Sequence, residues 1–317
     1  MPLTRLITAS AACAVFVAGL VAPADAQPTS NSPLVPPQNG PRIVDPGRHL
    51  IIGGTVHLSP DRSIPADQIP VIRIEDGRIA AIIEDSRTAI IDPSGFRVWT
   101  LDDDDQVYAG FIEPWFEVEG HSLDASRPGR HWSGHVTPER DVIDGEGIAD
   151  SDAEALRKLG FVAAAVAPDG GIFRGTGAVV STADRPENAS SERPTVYRDR
   201  AFHTIDFIRS GWSRDRSYPT SQMGAIALIR QVLLDAMWQR EARSDDNPIA
   251  PNALDAFGFD DRFFMETDHE LELFQAEAIG REFMLDAVLI GSGTEVRRIE
   301  GISRLGLPVI LPRREPR

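Results

Sequence analysis

Acidic residues gather at the end of one apolar run. In VYAGFIEPWFEVEG, residues 107–120, a strand expected over Val107 to Ile112 leads into Glu113, Trp115, Glu117 and Glu119. Neighbouring carboxyl groups push each other's pKa values apart, so one can give a proton while another takes one. Glu266 ends the short apolar run RFFME, residues 262–266, directly before a helical pattern. In a barrel that is the rim where catalytic groups lie. Glu266 and Glu117 are therefore the candidate acid–base pair. His203, in RDRAFHTIDF, is expected at a strand end facing the same mouth, as a proton shuttle. In PDGGIFRGTG, residues 168–177, glycines let backbone N–H groups point at an anion, and Arg174 adds charge. The segment lacks the Lys-Ser/Thr of a phosphate loop, which argues against nucleotide binding.

Each candidate has a plainer reading. These are a solvated acidic loop, a polar strand end, a satisfied buried imidazole, and a tight turn with glycine at positive φ. His131 and His135 in HWSGH have the i, i+4 spacing of a zinc pair, which works only on a helix. Gly129, Gly134 and Pro138 favour a loop instead. His121 and His269 are weaker candidates, with His269 expected at a helix start. LDDDDQ, residues 101–106, lacks the glycine and terminal glutamate of a calcium loop and reads as a solvated turn.

The elements that must position these residues change character along the chain. From residue 50 to 108, β-prone runs alternate with turn signals, and Asp76-Gly77 between two alternating runs marks a hairpin. This predicts a small antiparallel β unit. Beyond residue 109 the pattern becomes strand then helix. SDAEALRKL, residues 151–159, begins with a Ser151–Glu154 capping box and stops at Gly160, and FVAAAVAP follows as a buried strand. SQMGAIALIRQVLLDAMWQR places Ile226, Ile229, Leu233 and Met237 on one helical face, with Trp238 also assigned to the core. RFFME, DAVLI and LPVIL read as strands. TDHELELFQAEAIGREF reads as a helix opened by a Thr267–Glu270 capping box, and GSGTEVRRIEGISRL as another helix. Alternation at this spacing predicts a parallel sheet with helices outside, in a barrel or a doubly wound arrangement, with about six strands after residue 109.

Composition bounds the partners. The net charge of −16 argues against nucleic acid and anionic membrane surfaces, and favours a small or cationic ligand. Residues 1–26 have a basic start, an Ala-rich apolar run and ADA before Gln27, the pattern of a secretory signal. No other segment is apolar and long enough to span a bilayer. Residues 27–49 are rich in Pro, Ser and Asn and read as a flexible leader. The one cysteine, Cys13, falls within the signal, so the mature chain of about 290 residues has no disulfide or thiolate metal site. A periplasmic or secreted protein resting on an ordinary hydrophobic core is expected.

The ordered segments GGTV, IRIEDGRIAAI and VYAGFIEP resemble the start of the amidohydrolase superfamily, in its imidazolonepropionase-like group of metal-dependent hydrolases. Such chains open with a small β-sandwich leading into a strand of the form (P)G-[FLM]-I-D-x-H-x-H. Here Gly110, Phe111 and Ile112 match, and Glu113 stands in place of the Asp. LRKLGFVAAAVAPDGGIFRGTGAVV, YPTSQMGAIALIRQ and AVLIGSGTEVRRIEGISRLGLPVILP extend the resemblance from about residue 50 to the last residues.

The resemblance implies a (β/α)8 barrel and metal-assisted hydrolysis of non-peptide C–N bonds, with zinc or another divalent ion generating hydroxide. It implies that the 168–177 loop faces the active site, making Arg174, Gly171 and Trp115 expected substrate contacts. The usual ligands are His-x-His after the first strand, histidines on later strands and an Asp at the last strand. Trp115 and Glu117 stand at the first pair, and Glu266, in MET, stands where relatives often read VHA. No segment corresponds to the last strand with its Asp, or to the second half of the β-sandwich.

The expectation is thus an α/β chain: an incomplete TIM-like (β/α) barrel over residues 109–317, apparently truncated, preceded by a small antiparallel β-sandwich unit over 50–108. A neighbouring chain is one way to complete it. No cofactor and no metal-binding residue is expected. The function implied is hydrolysis of a C–N bond in a small-molecule substrate, the alternative a non-catalytic binding or scaffold protein that keeps the barrel.

Overall fold

The computed structural model describes residues 47–88, 92–124, 126–183, 195–207, 218–244, 247–258 and 260–311. The expected signal peptide and nearly all of the expected leader lie outside them. The first strand, β1 (Arg48–Ile52), starts two residues inside the stretch read as leader.

Seven short strands follow the turn-punctuated sequence. They are β1, β2 (Thr55–Ser59), β3 (Arg62–Ile64), β4 (Val71–Glu75), β5 (Arg78–Ile83), β6 (Arg97–Thr100) and β7 (Gln106–Val107). They form one sheet in the order β5-β4-β1-β6 and another in the order β3-β2-β7. The expected hairpin is present: β4 and β5 pair antiparallel, and Asp76 and Gly77 both take positive φ, 50° and 72°, as a two-residue primed turn requires. The unit is mixed rather than purely antiparallel, because β1 pairs parallel with β6 and β2 parallel with β7. Val56, Ile64 and Ile72 give the two sheets a shared apolar cluster.

The larger sheet is ordered β14-β13-β12-β11-β10-β9-β8. Its strands are β8 (Phe111–Val118), β9 (Phe161–Pro168), β10 (Phe173–Ser181), β11 (Val196–Asp206), β12 (Arg262–Glu266), β13 (Asp286–Ile290) and β14 (Val309–Ile310). Helices α1 (Asp150–Lys158), α2 (Gln222–Ala242), α3 (Glu270–Glu282) and α4 (Ile299–Ile302) connect or cover them. Pairing is parallel except at β10, which runs antiparallel to both β9 and β11. Seven strands among the described residues, with one reversed, form a barrel-like, parallel-rich sheet compatible with an incomplete barrel.

Several local expectations are corrected. Val107–Ile112 is not one strand: β7 belongs to a small sheet, and β8 starts at Phe111 and runs through Glu113 and Glu117. Glycine-rich 168–177 is only half loop, since its second half opens β10. Neither capping box forms. Helix α1 starts at Asp150 after Ala149, which makes no side-chain cap, and Asp150 and Asp152 face the positive helix end. The cap of α3 is His269, because the Thr267 hydroxyl donates to the Ile290 carbonyl, 2.8 Å away. Gly160 does end the first helix, at φ 88°.

Alternation along the strands makes two faces. On the outer face Ile205, Phe263, Met265, Ala287 and Leu289 meet the α2 and α3 residues Leu228, Ile229, Val232, Leu233, Leu273 and Ile279 in the main core. Helix α2 aims Ala225, Leu228, Ile229, Val232, Leu233 and Ala236 inward at helical spacing. Met237 lies at the margin and Trp238 is 64% exposed, so Trp238 is surface, not core. The inner face carries Ala165, Ala167, Phe202, Phe264, Val288 and Ile290.

Candidate functional site

The inner face is layered. Phe202 and Phe264, on adjacent strands, stack with ring centroids 4.0 Å apart, and Trp115 of β8 tilts onto both at 6.4 and 6.0 Å. Gly177 on β10 makes room for this floor: a Cβ there would lie 2.3 Å from the Phe202 ring. Further toward the C-terminal ends of their strands come Glu117 and Glu266, two residues beyond Trp115 and Phe264, and Asp206, four beyond Phe202, with Asp206 and Glu266 side by side in register. The parallel strands therefore deliver three carboxylates to one rim.

Arg174 reaches that rim from the opposite direction. Because β10 is reversed, its beginning lies where its neighbours end. Phe173 pairs with Ile205 and Gly175 with Thr204, so one extra residue sits in a bulge at Arg174–Gly175. The bulge lets Phe173 stay in the outer core while Arg174 turns to the inner face. Gly175 has φ 112°, and a Cβ on it would stand 2.2 Å from the Arg140 carbonyl oxygen. Only glycine fits that close approach.

The guanidinium is the hub of the site. Its Nη1 donates to Glu117 Oε1 at 2.6 Å, and its Nη2 donates to Asp206 Oδ2 at 2.5 Å. Nη2 also lies 2.9 Å from Glu266 Oε2. Nε is buried without a hydrogen-bond partner among the described residues. The side chains of Arg174 and Asp206 are each 4% exposed, against 15% for Glu266 and 23% for Glu117, so the two glutamates keep an edge toward solvent. Burial alone would lower the Arg174 pKa, but Asp206, Glu266 and Glu117 outweigh it and hold the guanidinium above its ordinary value.

The candidates thus divide. Glu117, Glu266 and Arg174 meet, and Trp115 lies in the aromatic layer beneath them. His203 does not join them. It faces the outer side of β11, between Phe257 and Phe263 at 5.3 and 5.2 Å, with Nε2 3.2 Å from Asp261 Oδ2. Burial lowers its pKa more than Asp261 raises it. Gly171 sits in the β9–β10 turn at φ 92°, packed on the His135 carbonyl, which accepts from the Ile172 and Phe173 N–H groups. Those amides are therefore committed to the protein. His131 and His135 lie in a loop, as expected. Asp206 was missed; its signal was a charged residue set between Ile205 and Phe207 in an otherwise apolar run.

A divalent ion is what the resemblance implies for this rim, and the described residues do not present a ligand group for one. Among the described residues no three His, Cys, Asp or Glu side chains come together as metal ligands. The three carboxylates that do meet converge on a guanidinium.

Beside the hub, past the end of β8, lies a cleft of about 700 Å3. Glu117, Glu119, Asp144, Glu146 and Asp152 contribute to its wall, and no Lys or Arg lines it among the described residues. Glu117 joins the cleft to the hub. His121 also lines it, with Nδ1 buried and lacking a hydrogen-bond partner among the described residues.

An amidohydrolase from Thermotoga maritima, known as a crystal structure, superposes on this architecture with a TM-score of 0.64. The two chains share a fold. The match covers 83% of this chain and 70% of the other at 16% sequence identity, so the likeness speaks for architecture alone. No protein-family profile matches the sequence, and neither does any curated protein.

Proposed function

We propose that this chain is an exported protein, periplasmic or secreted, that uses an amidohydrolase-type fold to bind a small cationic molecule at the barrel rim, without a divalent metal and without turnover. The observation that supports this reading is the commitment of the rim carboxylates to Arg174. Metal-assisted hydrolysis needs a hydroxide held at neutral pH. Here a fixed organic cation stands among the groups that would hold the ion, so the metal site that the resemblance implies is degenerate. The sign of the ligand follows from the cleft, where Arg174 pairs with Glu117 but Glu119, Asp144, Glu146 and Asp152 add further negative charge to the wall. Its volume is that of a small-molecule site.

A second reading is hydrolysis of a non-peptide C–N bond by carboxylates alone. It is favoured by Glu117 touching both hub and cleft, with Glu266 completing an acid–base pair and His121 as a further base on the cleft wall.

The test pairs two assays on the mature protein. Thermal shifts are measured with a panel of small amines and guanidines, matched anions and neutral amides. Product release from amides and cyclic imides is followed in excess chelator. Saturable stabilisation by cations without product supports binding. Turnover that survives chelator and disappears in Glu266→Gln replaces binding with the second reading, and neither binding nor turnover sinks both.

A further inference from the structure

We infer that the acidic rim and its cleft are a docking surface for this chain's own residues 312–317, PRREPR, whose arginines compete there with small cations. The inference rests on the cleft being a cation site, and it names the guanidinium as the group the site takes.

Register places the point from which that segment starts. Asp206 pairs with Glu266, Glu266 with Ile290 and Ile290 with Ile310, so one row of the sheet runs from the hub to the last residue of β14. Ile290 and Ile310 both pack on the inner face. Neighbouring strands lie about 4.8 Å apart, which sets Ile310 about 10 Å from Glu266. The Gly291 N–H donates to the Ile310 carbonyl at 2.8 Å. The next rung of that parallel ladder would need an N–H at position 312, and Pro312 has none. Residues 312–317 lie outside the described residues, but Leu311, to which they are joined, stands at the rim and is 66% exposed.

Reach and charge point to the occupant. Extended backbone spans about 3.3–3.6 Å per residue, so Arg313, three residues past Ile310, covers about the distance to Glu266, and Arg317 about twice that. The sheet is curled: Trp115 of β8 lies 6.0 Å from Phe264 of β12 by ring centroids, and the Arg174 guanidinium touches both Glu117 and Glu266. Glu117 and the cleft beside it therefore fall within the span of the segment. Three arginines, Arg313, Arg314 and Arg317, stand in it against one acid, Glu315. They face a wall bearing Glu119, Asp144, Glu146 and Asp152, which no Lys or Arg lines among the described residues. A guanidinium meets a carboxylate with two parallel N–H donors. The buried Nδ1 of His121, without a hydrogen-bond partner among the described residues, is an acceptor for another. A short tether holds such a segment at millimolar effective concentration, so even a weak site is kept filled.

The experiment compares wild type with Arg313→Gln/Arg314→Gln/Arg317→Gln in the full chain, by calorimetric titration with arginine amide and with the synthetic peptide LPRREPR. A segment that binds in trans with a Kd of about 0.1 mM, tethered at about 1 mM, excludes a competitor roughly tenfold. The triple variant should therefore bind arginine amide about tenfold more tightly than wild type. It should bind LPRREPR but not LPQQEPQ, and adding Glu119→Gln/Glu146→Gln should remove most of that binding. Losing three charges elsewhere, in Arg62→Gln/Arg78→Gln/Arg87→Gln on the exposed surface of the small β unit, should leave affinity for arginine amide unchanged. Equal affinity of wild type and triple variant for arginine amide, with no binding of LPRREPR, overturns the inference and leaves the small-cation reading standing. Peptide binding without arginine amide binding keeps the docking surface and removes the small-cation reading. An equal gain in the control variant, or peptide binding that survives Glu119→Gln/Glu146→Gln, also overturns the inference. So does an arginine-dependent dimer in sedimentation velocity, which would give the surface to a second copy.

Discussion

The bulge that aims Arg174 depends on Gly175, and three glycine substitutions separate the reasons. In Gly175→Ala the new residue must hold φ near 112°, a sparsely populated conformation that costs about 1–3 kcal/mol. Its methyl group would also stand 2.2 Å from the Arg140 carbonyl oxygen and 2.8 Å from Arg140 Cβ. That oxygen accepts from the Thr176 N–H at 2.8 Å, so it cannot retreat without losing the bond. Overpacking of this kind costs about 1–3 kcal/mol, and the hydrogen bond about 1 more. The expected loss is roughly 3–7 kcal/mol. Gly170 also has positive φ, 75°, but a Cβ there meets nothing within 4 Å, so Gly170→Ala should lose only about 1–2 kcal/mol. Gly134 has open space and no positive φ, and Gly134→Ala should be neutral or stabilise by up to about 1 kcal/mol. Urea unfolding followed by circular dichroism, with the slope m checked for constancy, gives the three values. If Gly175→Ala is no worse than Gly170→Ala, the Arg140 carbonyl does not fix the bulge and the reasoning fails.

Further outcomes follow from the same contacts. His203 has a folded pKa depressed by burial, so the unfolded chain binds its proton more readily. Stability should be full above the unfolded value of about 6.5 and fall as pH drops below it; in His203→Phe, urea midpoints between pH 7.5 and 5.5 should show a shallower fall. Leu233→Ala should lose about 2–5 kcal/mol, but Trp238→Ala less than about 0.5, and comparable losses would contradict the assigned face of α2. Asp206→Asn should destabilise more than Glu117→Gln in equilibrium unfolding. Breaking a buried pair costs about 3–5 kcal/mol, whereas a pair with a partly exposed partner is screened by solvent.

The sequence told most where the signal was local. Asp76-Gly77 marked its hairpin, and the runs FVAAAVAP, RFFME and DAVLI became β9, β12 and β13 residue for residue. The Thr267 capping box failed because its hydroxyl had a tertiary alternative in the Ile290 carbonyl, and the Ser151 box because the helix begins one residue earlier, at Asp150. The reversal of β10 was hidden because a buried strand reads the same in either direction. Arg174 therefore looked like a loop residue, and its meeting with Glu117 and Glu266 is a product of topology. His203 was misplaced by a single step of strand alternation: Asp206, three residues on, faces the rim, and His203 faces the helices.

The outermost strands of the large sheet have a consequence for how the chain behaves in company. A strand edge is a template that copies of the same chain can extend. Here both edges are poor templates. β14 is two residues long, and β8 has Pro114, which offers no N–H, beside register shifts that bend its ladder. Glu113 and Glu117 add charge along β8, which docking in register would set against its own copies. Borders of this kind, among the described residues, discourage the sheet from growing edge to edge onto copies of itself.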